Sequence, residues 1–194
     1  ILKRCSAAVA QALEADEHTE AILLVSKPPS PEVAEALLGT ARSKPMVAAL
    51  IGLREPLDGV ADGITVCNTL ERGAELTARA LGRSVPDLSA GTADAVASLI
   101  TAMPTARRRL VGLFSGGTLC YEAMTIAVPH IGPVYSNTPL DKTWAMPAPD
   151  GAHVCLDLGE EEYTRGRPHP MIDPAARAER LAIDAADPEV GVLL

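Results

Sequence analysis

From Leu2 to Ala15 the chain reads LKRCSAAVAQALEA, with Leu2, Cys5, Ala8, Val9, Ala12 and Leu13 recurring at the spacing that puts side chains on one helical face. That pattern predicts an amphipathic helix. The polar turn DEHTE then leads into AILLVS, a continuous aliphatic run of the kind found in parallel strands covered on both faces. Pro28, Pro29 and Pro31 cannot continue a ladder. Ser30 as N-cap, with Pro31 at the first helical position, predicts a helix to about Arg42. KPMVAALIG reads as a second buried strand, so residues 1–52 alternate helix, strand, helix, strand, half of an open parallel sheet.

Leu53 to Gly63, LREPLDGVADG, mixes Pro, Gly and Asp and reads as a loop. TLERGAELTARALG resumes a helix with Thr69 as cap, and SVPDLSAG breaks it. TADAVASLITAM is helical up to Pro104, RRLVGLF is a strand, and a helix runs from Thr118 to about Ala127. Pro129 to Asp150 reads as irregular chain. A strand AHVCLDL, a loop, a helix from Asp173 to Ala186 and a strand EVGVLL complete the pattern. Ala12–Val25 and Ala182–Leu194 repeat one order, helix end, acidic turn and aliphatic strand, with a short slip between them. The shift in composition around 82–91 predicts a boundary between domains at 1–85 and 86–194. The start at Ile1 and a last strand still in progress lead us to expect a fragment of a longer chain.

Apolar residues make up 47% of the 194 positions but aromatics only 3%, which suits α/β layers with cores of small aliphatic groups. A net charge of -8 argues against a nucleic-acid partner, since phosphate neutralisation needs clustered Lys and Arg. The basic run Arg107-Arg108-Arg109 leads straight into LVGLF and reads as a solvated charge run before a buried strand. Cys5, Cys67, Cys120 and Cys155 lie far apart without metal-ligand spacing, so no metal site or disulfide framework is expected, and a reduced, cytoplasmic protein is. No apolar run approaches the roughly 18 residues of a bilayer span, and no signal peptide is visible. No membrane partner is expected.

Chemistry concentrates at two strand ends. Ser115-Gly116-Gly117-Thr118 follows an apolar strand and opens a helix, where free N–H groups and the helix dipole suit a phosphate or carboxylate. Ser115 or Thr118 would be both cap and ligand. The competing reading is a simple turn, with glycines chosen for backbone freedom. No Walker or GxGxxG motif accompanies it. The second segment, Asp157 to Pro174, brings Arg165, Arg167 and His169 together on chain stiffened by Pro168 and Pro170, suited to a secondary anion site; Glu160 to Glu162 could equally neutralise it as a surface loop. His18 reads as solvated, and His130 and His153 as structural. The spacing of Cys120 with Met124 and Ala127 reads as a packed face rather than a catalytic thiol. No residue is assigned as catalytic.

SGGTLCYEA, Ser115 to Ala123, resembles the SGTLTYEA-type motif of the succinyl-CoA synthetase alpha subunit. AQALEADEHTEAILLVSKPPSPEVAEALL and YTRGRPHPMIDP resemble the FdrA family of acyl-CoA synthetase-like proteins. The likeness touches most of residues 1–52 and 109–194. It implies an α/β fold of two flavodoxin-like, succinyl-CoA synthetase-type modules with mainly parallel sheets, residues 1–85 a partial first ligase domain and 86–194 a second, C-terminally incomplete one. It implies CoA and ATP as cofactors, a small carboxylate or acyl-phosphate substrate, a phosphate resting where Ser115 to Thr118 match, and a homo- or hetero-oligomer. Two departures stand out. The synthetases carry an acidic residue and two glycines where this chain has Ser26-Lys27-Pro28-Pro29, and a phosphorylated histidine where it has LREPLDGVADG. Residues 1–52 are therefore not expected to form a phosphohistidine; a matching loop of the second module, and a CoA-binding domain, would lie outside this sequence. Three activities compete: an acid-CoA ligase-like subunit handling an acyl-phosphate or phosphoenzyme intermediate, an oxamate carbamoyltransferase subunit using carbamoyl phosphate in purine or allantoin breakdown, and a noncatalytic scaffold.

Overall fold

The computed structural model describes residues 2–27, 29–87 and 91–194. Pro28 and the Leu88–Ala90 part of the expected break lie outside the described residues, as does the side chain of Cys5. The chain divides into two compact units, Ile1–Pro86 and Asp87–Leu194.

The first unit runs α1 (Leu2–Ala15), β1 (Ile22–Ser26), α2 (Pro31–Leu38), β2 (Met46–Leu50), β3 (Ile64–Cys67) and α3 (Leu70–Ala80). Its three strands are parallel in the order β1-β2-β3, with Ile22 opposite Met46 and Met46 opposite Ile64. All five residues of β2 are buried, because both of its faces are covered. On one face Ile22, Met46, Ala48 and Leu50 pack with Leu37 and Leu38 of α2. On the other, α3 approaches so closely at Gly73 that an added Cβ would stand 2.8 Å from the Ala49 Cβ. That approach explains a glycine in mid-helix, where it otherwise costs stability. Thr69 caps α3, its hydroxyl accepting the Arg72 N–H at 3.3 Å.

The second unit runs α4 (Thr92–Ala102), β4 (Arg109–Phe114), α5 (Gly117–Ile131), β5 (Val134–Tyr135), a 3-10 turn (Lys142–Trp144), β6 (His153–Asp157), α6 (Glu161–Thr164), α7 (Ala175–Ala186) and β7 (Val190–Leu193). The four strands are all parallel, in the order β5-β6-β4-β7. Helix α5 packs on β4, β5 and β6, and α7 on β4 and β7. Val111, Leu113, Val154, Leu156, Leu158 and Val190 form one core cluster; Cys120, Met124, Val134 and Cys155 form another. The α/β class with parallel sheets is the fold the sequence leads one to expect.

Several local readings shift. The strand β3 falls between the expected loop and helix, and β5 lies inside the stretch read as irregular. Helix α2 stops at Leu38, well short of Arg42, with Gly39 donating its N–H to the Glu35 carbonyl. Helix α5 runs through Pro129 to Ile131 and ends at Gly132, whose φ of 79° suits glycine. The basic run is only partly a solvated one. Arg107 donates to the Val190 carbonyl at 2.7 Å, and Arg109 bridges the Ala152 carbonyl at 3.1 Å and Asp187 at 2.6 Å.

Candidate anion site at the glycine turn

Strand β4 is central and ends at Phe114, so the chain leaves the sheet at the side where open α/β sheets place their ligands. Gly116 holds the N-cap position of α5 and supplies no side-chain cap. The first N–H groups of α5 therefore face outward without the usual side-chain partner. Gly116 has φ -178°, extended backbone open to any residue, and an added Cβ would meet nothing within 4 Å. The space it borders is a cleft of about 670 Å³ lined by Ser115, Gly116, Thr118, Pro170, Met171 and Arg177, among others.

Arg177 is the residue that sequence reading missed. It sits in the first turn of α7 and donates through Nη1 to Ser115 Oγ at 2.7 Å. Because Oγ accepts there, its own proton remains available to a ligand. A guanidinium beside an uncapped helix N-terminus concentrates positive potential on the same few ångströms. The signal in the sequence was one of two arginines in an Ala-rich helix, 62 residues from its partner.

The loop after β6 forms the opposite wall. Asp157 ends that strand opposite Phe114 and is 2% exposed. Its Oδ1 accepts the Gly159 N–H at 3.0 Å, while the Asn137 side chain donates to its carbonyl and accepts its N–H, both at 2.9 Å. Gly159 has no room for a side chain. A Cβ there would stand 2.9 Å from the Ser115 carbonyl oxygen, 2.9 Å from His169 Nε2 and 3.1 Å from Asp157 Oδ1. The Met171 N–H donates to His169 Nδ1 at 3.2 Å, so the neutral ring carries its proton on Nε2, the nitrogen turned toward Gly159.

The three residues of the secondary segment separate. His169 alone lies against the glycine turn. Arg165 is an exposed partner of Glu161 at 3.0 Å, and Arg167 lines a different cavity of about 180 Å³ with Tyr163, Asp173 and Arg180. The other histidines stand elsewhere: His18 is exposed in the turn before β1, His130 is exposed near the end of α5, and His153 Nδ1 accepts the Leu110 N–H at 3.1 Å. Burial, with Arg109 adding to it, holds His153 below the usual imidazole range.

Cys120 faces inward, fully buried beside Cys155. Burial pushes the Cys155 thiol up to about 12, the opposite of what a nucleophile needs. Cys67, Cys120 and Cys155 are all free thiols. Burial first, then the charges of Cys120, Glu160 and Asp157, raise the Tyr121 hydroxyl. Among the described residues no group of three His, Cys, Asp or Glu side chains could hold a metal ion. No helix among them is long and apolar enough to cross a membrane.

Residues 113–194 match the CoA-ligase family. The matched stretch begins at the end of β4 and holds the whole cleft, the glycine turn, the Gly159 loop and Arg177. The uncharacterized protein YahF of Escherichia coli (strain K12) is 35% identical over 189 residues, covering 94% of this chain. The chain spans 36% of that relative's length. The match to the CoA-ligase family therefore lies in the second unit, which also holds the cleft beside the glycine turn.

Proposed function

We propose that this chain belongs to an acid-CoA ligase-like enzyme and that its glycine turn holds the phosphoryl group of an acyl-phosphate or phosphoenzyme intermediate. The single observation that carries this reading is the Arg177–Ser115 hydrogen bond, which sets a guanidinium beside the uncapped N-terminus of α5. The residues fit a phosphoryl group: the first N–H groups of α5, Ser115 Oγ, Thr118 Oγ and Arg177 would hold its oxygens, and His169 Nε2 would stand at the rim. ATP would supply the phosphoryl group and CoA the thiol in such an enzyme. The contribution of this chain is fixed donors, set before the ligand arrives, where negative charge accumulates.

A second reading, carbamoyl transfer from carbamoyl phosphate to oxamate as the FdrA likeness implies, is favoured by one feature. The loops after β1 and β2 contain no histidine to phosphorylate, and carbamoyl phosphate arrives already activated.

Isothermal titration of the full-length protein with phosphate, carbamoyl phosphate and CoA tests both readings, with Gly116→Val as control. The variant keeps an allowed backbone and pushes a side chain into open space at the cleft, so it is expected to fold and to lose phosphate-type binding. Turnover then separates the readings: nucleotide-dependent thioester formation supports the ligase, and oxamate-dependent phosphate release without CoA supports the transferase. Binding indifferent to Gly116→Val would sink both and leave a scaffold.

A further inference from the structure

Helix α7 serves two separate cavities. Arg177 reaches the glycine turn, whereas Ala176, Glu179, Arg180 and Ile183, spaced i, i+3, i+4 and i+7 on one helical face, line a cavity of about 180 Å³. The rest of its lining comes from the chain between the end of β6 and α7. Leu158, Tyr163, Pro168 and Pro170 make that part apolar, and Arg167 and Asp173 add charge. Only Pro170 also lines the cleft beside the glycine turn.

The charges in this cavity are placed but not spent on each other. Arg180 Nε donates to Asp184 Oδ2 at 2.7 Å, and Asp184 is itself buried, 8% exposed. That bond orients the guanidinium and leaves both Nη nitrogens without a partner among the described residues. Asp173 Oδ1 accepts the Ala175 N–H at 3.0 Å, at the start of α7. Neither the Arg167 guanidinium nor the Glu179 carboxylate has a hydrogen-bond or ion-pair partner among the described residues, although both line the same small space.

Two guanidinium groups and two carboxylates cancel in net charge, so the cavity singles out neither a simple anion nor a simple cation. A zwitterion uses both signs, and the apolar lining suits an aliphatic body. At about 30 Å³ per water the volume holds roughly six water-sized groups, well under the roughly 300 Å³ at which sites for drug-sized ligands begin. We propose that this cavity binds a small aliphatic α-amino acid, its carboxylate on Arg167 and the Nη nitrogens of Arg180, its ammonium group on Glu179, and a side chain of about the size of valine's against Tyr163 and Ile183. The assignment is independent of the phosphoryl reading of the glycine turn, which uses other side chains.

Isothermal titration of the full-length protein with L-valine tests it, beside 3-methylbutanoate, which lacks the ammonium group, and 2-methylpropylamine, which lacks the carboxylate. L-valine is expected to bind about tenfold or more tightly than either analogue, the scale of one hydrogen bond to a charged group. Arg167→Gln should remove the preference over the amine, and Glu179→Gln the preference over the acid; both side chains are exposed, so both variants are expected to fold. Gly116→Val should leave L-valine binding unchanged, and the two variants should leave phosphate binding unchanged. Absence of L-valine binding, equal binding of 3-methylbutanoate, or preferences that survive both substitutions would overturn the proposal, whatever the phosphate titrations give.

Discussion

Arg177 Nη1 donates to Ser115 Oγ at 2.7 Å, joining the first turn of α7 to the glycine turn that opens α5. The bond brings a cation to a place where the backbone already offers free donors. Arg177→Ala is expected to weaken phosphate binding about ten- to a hundredfold, the equivalent of roughly 1.5–3 kcal/mol for a hydrogen bond to a charged group. Arg177→Lys should recover part of the loss, since it restores charge without the fork. Calorimetry at two salt concentrations checks this, and unchanged affinity in Arg177→Ala would remove the guanidinium from the site.

Gly159 is wedged between the Ser115 carbonyl and His169. Gly159→Ala is expected to destabilise the fold by about 1–3 kcal/mol through overpacking and to lower phosphate affinity by displacing the glycine turn. Urea unfolding and titration on the same sample measure the two effects. Full stability with full affinity would mean that the β6 loop moves freely.

Gly73→Ala would press a methyl group against the Ala49 Cβ across the α3–sheet contact. A loss of about 1–3 kcal/mol is expected despite alanine's better helix propensity. Phosphate binding in the second unit should not change. A gain in stability would show that α3 shifts outward at no cost.

Cys155 gives a pH signature. Its thiol is held near 12 in the folded protein, against 9.0 for the ordinary group. Above pH 9 the unfolded chain gives up this proton while the folded chain keeps it, so the contribution to stability is complete below pH 9 and falls as pH rises toward 12. Cys155→Ala should flatten that part of the curve. An unchanged alkaline slope in the variant would assign the loss to other groups.

Much of the fold was legible because it rests on local pattern. The aliphatic runs at Ile22–Ser26 and Met46–Leu50 are long enough to declare parallel strands, although only Met46–Leu50 is buried throughout while Leu23 and Val25 of the first are exposed, and Thr69 declares a cap by its position before a polar-led helix. Strands β3 and β5 were not legible. Four and two residues are too few for a period to show, and each is fixed by its neighbour in the sheet. The glycine turn was legible as the junction between strand β4 and helix α5, while the fates of Arg165, Arg167 and His169 were not. Their spacing is alike, and only the path of the loop sends Arg165 to Glu161, Arg167 to another cavity and His169 toward Ser115.

By itself the sequence determined the α/β class, the main strands and helices, and the glycine turn that opens a helix at Ser115–Thr118, because these follow from periodicity and chain stiffness within a few residues; the expected cap, Ser115 or Thr118, gives way to Gly116, which supplies no side chain. Tertiary structure alone decided the strand orders, the tight fit at Gly159, the Asn137 clamp on Asp157 and the presence of Arg177 at the turn. Each of these depends on separate segments meeting in space, 20 residues apart for the Asn137 clamp and 62 for Arg177, and no local pattern encodes which distant side chain a crossover helix will deliver.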